Sequence, residues 1–163
     1  MYQKIELLEM NKKSESEDII NEMKTSIGNM ESYPPPVIFS AYKAEYGGSY
    51  VFGDVTYDTL VENVGNGLDI RTGVFTVPQT GLYLLSFSGM SITDGTWTNV
   101  GFLLNGVEVF HLVSESSEEM QNRLGETWIL NLEINDQVNL KVNLGLLYSN
   151  SKQRINFNGY LIK

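Results

Sequence analysis

The chain has 163 residues and a mass of 18.3 kDa, room for one ordinary domain and a short appendage. Apolar residues make up 42 % and cysteine is absent, so a buried core is within reach without disulfides, and thiolate metal sites and cysteine nucleophiles are excluded. The net charge of −9 opposes attraction to nucleic-acid backbones and anionic membrane surfaces, and no apolar run is long enough to insert into a bilayer.

Residues 1–33 read as a charged helical arm in two pieces. Ile5 and Leu8, with Leu7 beside them, mark the first. Ile20, Met23, Ile27 and Met30 mark the second, at the spacing of an a/d seam two heptads long. The polar run Lys12–Asp18 separates the two. Two heptads fall short of the three or four that define a coiled coil, which leaves two readings. The arm is a helix lying on its own domain or fraying in solvent, or it is a short oligomerising stalk. The opening decapeptide lacks the apolar stretch and small-residue cleavage site of a secretory signal.

Pro34-Pro35-Pro36 cannot continue a helix and forms a stiff linker. A β-rich domain is expected over residues 37–163. Val37–Glu45 is a first strand, and Gly73–Pro78 a short one closed by proline. Leu82–Met90 alternates, with Tyr83, Leu85 and Phe87 on one face and Ser86 and Ser88 on the other. Trp97–Leu104 and Val107–Val113 flank Asn105-Gly106, a strong hairpin signal. Trp128, Leu130, Leu132 and Ile134 alternate with polar residues up to the Asn135-Asp136 turn, although Ile129 makes this strand partly apolar on both faces. Val138, Leu140, Val142 and Leu144 alternate after it, and Arg154–Ile162 closes the chain. Seven or more short strands with turns at this interval define an all-β antiparallel sandwich or barrel, and the absence of helical periodicity after residue 36 excludes α/β folds.

The search for chemistry yields little. His111 is the only histidine, and parity with Val107, Val109 and Val113 predicts that it points inward or toward an inter-subunit face. A general base needs a partner that the sequence does not show. No Gly-x-Ser-x-Gly elbow or phosphate-binding loop occurs, and Gly65-Asn66-Gly67 is too short for a dinucleotide fingerprint. No catalytic or cofactor-binding residue is therefore assigned, and the chain is read as a non-enzyme. Glu115, Glu118 and Glu119, with Asn122 close behind, form the best metal candidate, with oxygen ligands expected in a loop between two strands and suited to Ca²⁺; the alternative is a solvated acidic loop.

From Tyr57 to Phe87 the spacing resembles the signature of the complement C1q globular-domain family. The matching positions are Tyr57, Asn63, Leu68, Phe75, Gly81, Tyr83, Leu85 and Phe87. Tyr57 and Leu85 each stand where the family has Phe, and both are bulky enough to preserve packing. Thr72–Pro78, Asn63–Asn66, Glu133–Val138 and Phe157–Leu161 extend the likeness across residues 37–162. Asn135 stands where the family usually has Gly, in a turn that Asn can also make.

The resemblance implies a ten-strand antiparallel jelly roll of the C1q and tumour-necrosis-factor group, assembled as a non-covalent homotrimer. It implies a secreted, multivalent recognition module, as in innate pattern recognition, with extracellular protein or glycan ligands. The alternatives are a cytokine-like receptor ligand and a structural trimeric head of a fibrous or coat assembly. No collagen-like repeat is present, so the stalk of complement C1q itself is lacking from the chain. The two loop aspartates that hold Ca²⁺ in several family members align near Val113 or Ser114 and on Asn122, where no aspartate stands. Metal ligands are accordingly left unassigned, and at most weak Ca²⁺ binding is expected.

Overall fold

A computed structural model describes residues 2–31, 35–94, 97–115, 119–152 and 154–163. The chain divides into two units, residues 1–35 and 36–163.

The first unit is one helix, α1 (Tyr2–Glu31), about 45 Å long, rather than two pieces. Lys, Glu and Ser in the polar run are compatible with helix, and neither Pro nor Gly occurs before Gly28. The Ser16 and Thr25 hydroxyls fold back to the Lys12 and Asn21 carbonyls, at 2.8 and 2.9 Å. Of the a/d residues, Ile20 and Met23 are exposed, as is Ile19 beside them.

The second unit contains β1 (Ile38–Lys43), β2 (Ser49–Asp54), β3 (Thr59–Val64), β4 (Leu68–Asp69), β5 (Val74–Thr76) and β6 (Gly81–Asp94). They are followed by β7 (Thr98–Leu104), β8 (Val107–Ser114), β9 (Glu119–Leu132), β10 (Gln137–Ser149) and β11 (Ile155–Leu161). Eleven strands are thus described where ten are expected, and the shortest, β4, has two residues. The strand pairings are antiparallel. One layer runs β3-β1-β11-β6-β9. In the other, β10 pairs with β2 and β5 and with β7, while β4 and β8 extend beyond β5 and β7. The layers join where Met90–Ile92 of β6 pairs with Leu146–Tyr148 of β10.

Alternation fills the space between the layers. Phe39 from β1 and Phe157 from β11 have ring centroids 4.8 Å apart, and Phe75 from β5 meets Phe39 at 4.5 Å and Tyr83 at 5.8 Å. A second cluster sets Phe102 of β7 against Trp128 of β9 at 4.4 Å. These rings are buried and join the two layers.

Two turns fix the register at one end. Asn105 (φ 53°) and Gly106 (φ 79°) make the left-handed turn that a two-residue hairpin requires. The Asn105 side chain donates to Asp136 at 2.8 Å and accepts from the Gln137 amide at 2.9 Å, tying this turn to the one between β9 and β10. In that second turn Asn135 adopts φ 71°, a left-handed conformation that Asn tolerates better than most residues.

Candidate functional site

The family-signature residues are structural. Tyr57, Leu68, Phe75, Tyr83, Leu85 and Phe87 are all buried in the core. Asn63 brackets Leu68, its amide donating to the Leu68 carbonyl at 3.0 Å and its oxygen accepting from the Leu68 amide at 3.2 Å. The Tyr83 hydroxyl donates to the Gln79 carbonyl at 2.6 Å, and burial pushes its pKa above 10.0. At Gly81 a Cβ would come 2.6 Å from the Lys163 carbonyl oxygen, so glycine is needed for the C-terminus to close against β6.

His111 does not point inward. It shares the exposed face of β8 with Val109 and Val113, both 42 % exposed, and a bulge between Phe102 and Leu103 brings Glu108, which strict alternation would put on the other side, onto that same face. Its Nδ1 lies 3.7 Å from Glu108 Oε1, and Glu108 Oε2 accepts from Asn143 at 2.6 Å. Among the described residues no hydroxyl is hydrogen-bonded to His111, so this surface cluster lacks an activated nucleophile.

The acidic candidate is not a single loop. Glu115 is exposed just after β8, but Glu119 and Asn122 belong to β9, paired with Asp94 and Ser91 of β6. The strand starts earlier than its alternation suggests because β6 runs on to Asp94 and carries β9 along with it. Ser91 Oγ lies 3.1 Å from both the Ser114 hydroxyl and the Asn122 carbonyl oxygen, so Asn122 serves in closing the sandwich. Glu118 lies outside the described residues. Among those described, no group of three or more His, Asp or Glu could hold a metal.

The outer face of the five-stranded layer has a clear order that sequence reading misses. Val64, Ile38, Tyr160, Leu84 and Ile129 lie directly across from one another on β3, β1, β11, β6 and β9. Five apolar side chains therefore form one row, about 20 Å long at the usual strand spacing. Ile38, Tyr160 and Ile129 are 38 %, 45 % and 59 % exposed, and Val64 and Leu84 are half-buried. The next row is polar: Glu62, Ser40, Asn158, Ser86 and Thr127, with Ser40 donating to Asn158 at 2.7 Å. The signal for this face was Ile129 on the wrong side of an alternating strand, but its four partners become neighbours only through pairing.

Two layers paired in this order, with the signature residues between them, define a jelly roll of the C1q and tumour-necrosis-factor type, a class of trimeric ligand-recognition modules. The C1q domain model matches residues 38–162, and the chain belongs to that family. Complement C1q tumor necrosis factor-related protein 3 of Mus musculus and its Homo sapiens counterpart are each 28 % identical to it over 108 residues. The aligned stretch is 66 % of this chain and 44 % of each relative, so the chain spans less than half the length of those relatives. Among solved structures, the globular domain of zebrafish complement 1qA superposes with a TM-score of 0.63 at 18 % identity, covering 78 % of this chain and 97 % of that one. Eiger TNF from S. frugiperda gives 0.63 at 14 % identity, over 80 % of this chain and 94 % of its own. These two likenesses concern the fold alone.

Proposed function

We propose that the chain is the recognition head of a secreted homotrimer that binds extracellular protein or glycan ligands multivalently and catalyses no reaction. What carries the reading is the row Val64–Ile38–Tyr160–Leu84–Ile129, an apolar band across a whole sheet in which Ile38, Tyr160 and Ile129 are exposed. Burying it against a second and third copy removes about 25 cal/mol for each Å² of apolar surface taken from water. The exposed Ile20 and Met23 of α1 support the same assembly, since a short seam next to a trimeric head gains from the raised effective concentration. Three heads on one axis turn weak single contacts into tight attachment on a surface that displays many ligands.

The experiment is sedimentation of the native chain beside Ile129→Asp and Tyr160→Asp. Both positions are exposed, so each subunit keeps its fold while the band acquires charge. The native chain is expected to sediment as a trimer and the variants as folded monomers, with retention on a glycan or receptor-ectodomain array falling about a hundredfold or more. Variants that keep the mass of the native chain would remove the band from the interface and this reading with it.

A further inference from the structure

The apolar band occupies one end of the outer face, and the opposite end is cationic. Starting in the row next to Ser40 and Asn158 on that side, a cavity of about 200 Å³ opens among Ser88, Met90, Arg123, Lys152, Arg154 and Asn156. Residues 36–163 contain only seven Lys and Arg, and three of them line this one cavity. The overall charge of −9 gives no hint of such a concentration, because it is made by pairing and by one loop.

The backbone places each part. Arg123 lies across from Met90 on β9, and Ser88 pairs with Asn156 on one side and Gly125 on the other. Gly125 presents no side chain beside Ser88, which keeps the floor open. The Asn156 amide donates to Ser88 Oγ and to the Arg154 carbonyl, both at 3.2 Å. Ser88 Oγ thus accepts one bond and retains its own proton to donate. The Arg154 guanidinium sits 4.2 Å over the Tyr42 ring. Lys152 is presented by an Asx turn in which its backbone amide donates to Asn150 Oδ1 at 2.8 Å.

Among the described residues no carboxylate lies within ion-pair distance of these three cations; the ion pairs within 4 Å are Arg71–Asp69 and His111–Glu108. Like charges gathered in one recess repel each other, and an anion placed among them is attracted by all three. Two guanidinium forks, an ammonium and a free hydroxyl proton suit a tetrahedral oxyanion, which offers acceptors in several directions. The cavity is smaller than the roughly 300–1,000 Å³ that holds a drug-sized ligand, so it fits a single group.

We infer that this pocket binds a sulfate or phosphate group, either as a free ion or as an ester on a sugar. It is built within one subunit, so its failure would leave the trimer reading untouched, and loss of the trimer would leave the pocket in place.

The test is calorimetric titration of the full chain at constant ionic strength in sodium chloride. The probes are inorganic sulfate, inorganic phosphate, a sulfated tetrasaccharide and its desulfated counterpart. Binding of at least one oxyanion-bearing probe is expected, weakened tenfold or more by Arg123→Gln or Arg154→Gln and several-fold by Lys152→Gln. Tighter binding of the sulfated sugar than of either ion assigns the source to a glycan, and the reverse order assigns it to the free ion. Lys152 is exposed on a loop, so its variant decides the matter where loss of Arg154 from Tyr42 disturbs folding. Absence of binding by all three oxyanion probes, equal binding of the desulfated sugar, or affinity unchanged in Lys152→Gln and the arginine variants would overturn the inference.

Discussion

The Tyr57 ring stacks on Phe157, with centroids 6.0 Å apart and planes 20° from parallel, while its hydroxyl is buried without a hydrogen-bond partner among the described residues. The ring thus packs as a phenylalanine would, and the oxygen adds an unmet desolvation penalty.

Tyr57→Phe should therefore leave the fold intact and raise stability by about 1 kcal/mol. Tyr57→Ala should lower it by about 3–5 kcal/mol through the cavity left beside Phe157. Urea unfolding of both variants checks the pair, and a clear loss of stability in Tyr57→Phe would mean that the hydroxyl has a partner.

The same burial governs behaviour in alkali. Burial raises the pKa values of Tyr57 and Tyr83 above the ordinary 10.0, because the charged phenolate loses its water. A folded pKa above the unfolded one gives stability that is complete below pH 10 and is lost as pH rises through and beyond that value. Urea midpoints should hold steady up to about pH 9 and fall above about pH 10, less steeply in Tyr57→Phe. Identical slopes in the two proteins would contradict the assignment to Tyr57.

Calcium should matter little. Asn122 is committed to β9 through its backbone, and among the described residues no trio of acidic side chains converges. Melting temperatures in millimolar Ca²⁺ and in chelator should differ by about a degree or two, with Mg²⁺ giving most of the same shift. A large rise specific to Ca²⁺ and abolished by Glu118→Gln would restore an apical calcium site.

Deleting residues 1–33 should leave the β domain folded. The arm and the domain are separate units, and the core is drawn from residues 37–157. Cooperative melting and the β-sheet circular dichroism signal should survive, with a weaker oligomer. Loss of folding would show that the helix contributes to the core.

Sequence reveals the strands whose apolar residues alternate toward the core, and hides the rest. Phe75, Tyr83, Leu85 and Phe87 are legible because each second position is buried. β2 and β3 are not, since Tyr50, Phe52, Leu60 and Val61 are exposed and Gly53, at φ 79°, interrupts the pattern. The polar run Lys12–Asp18 hides the continuity of the helix, because it interrupts the apolar pattern while leaving backbone hydrogen bonding untouched. His111 lies on the exposed face because the valines that share its parity, Val109 and Val113, are themselves exposed, and its pairing with Glu108 depends on a bulge that composition does not reveal. The apolar band and the cationic pocket each draw on strands far apart in sequence, so neither exists as a motif. Ile38 and Ile129 share a row only because β11 and β6 lie between them.

The trimer is the central claim, and multi-angle light scattering of the native chain at micromolar concentration tests it most directly. The account predicts a single species at three times 18.3 kDa that persists on dilution across the micromolar range. A monodisperse mass of 18.3 kDa throughout that range would contradict it.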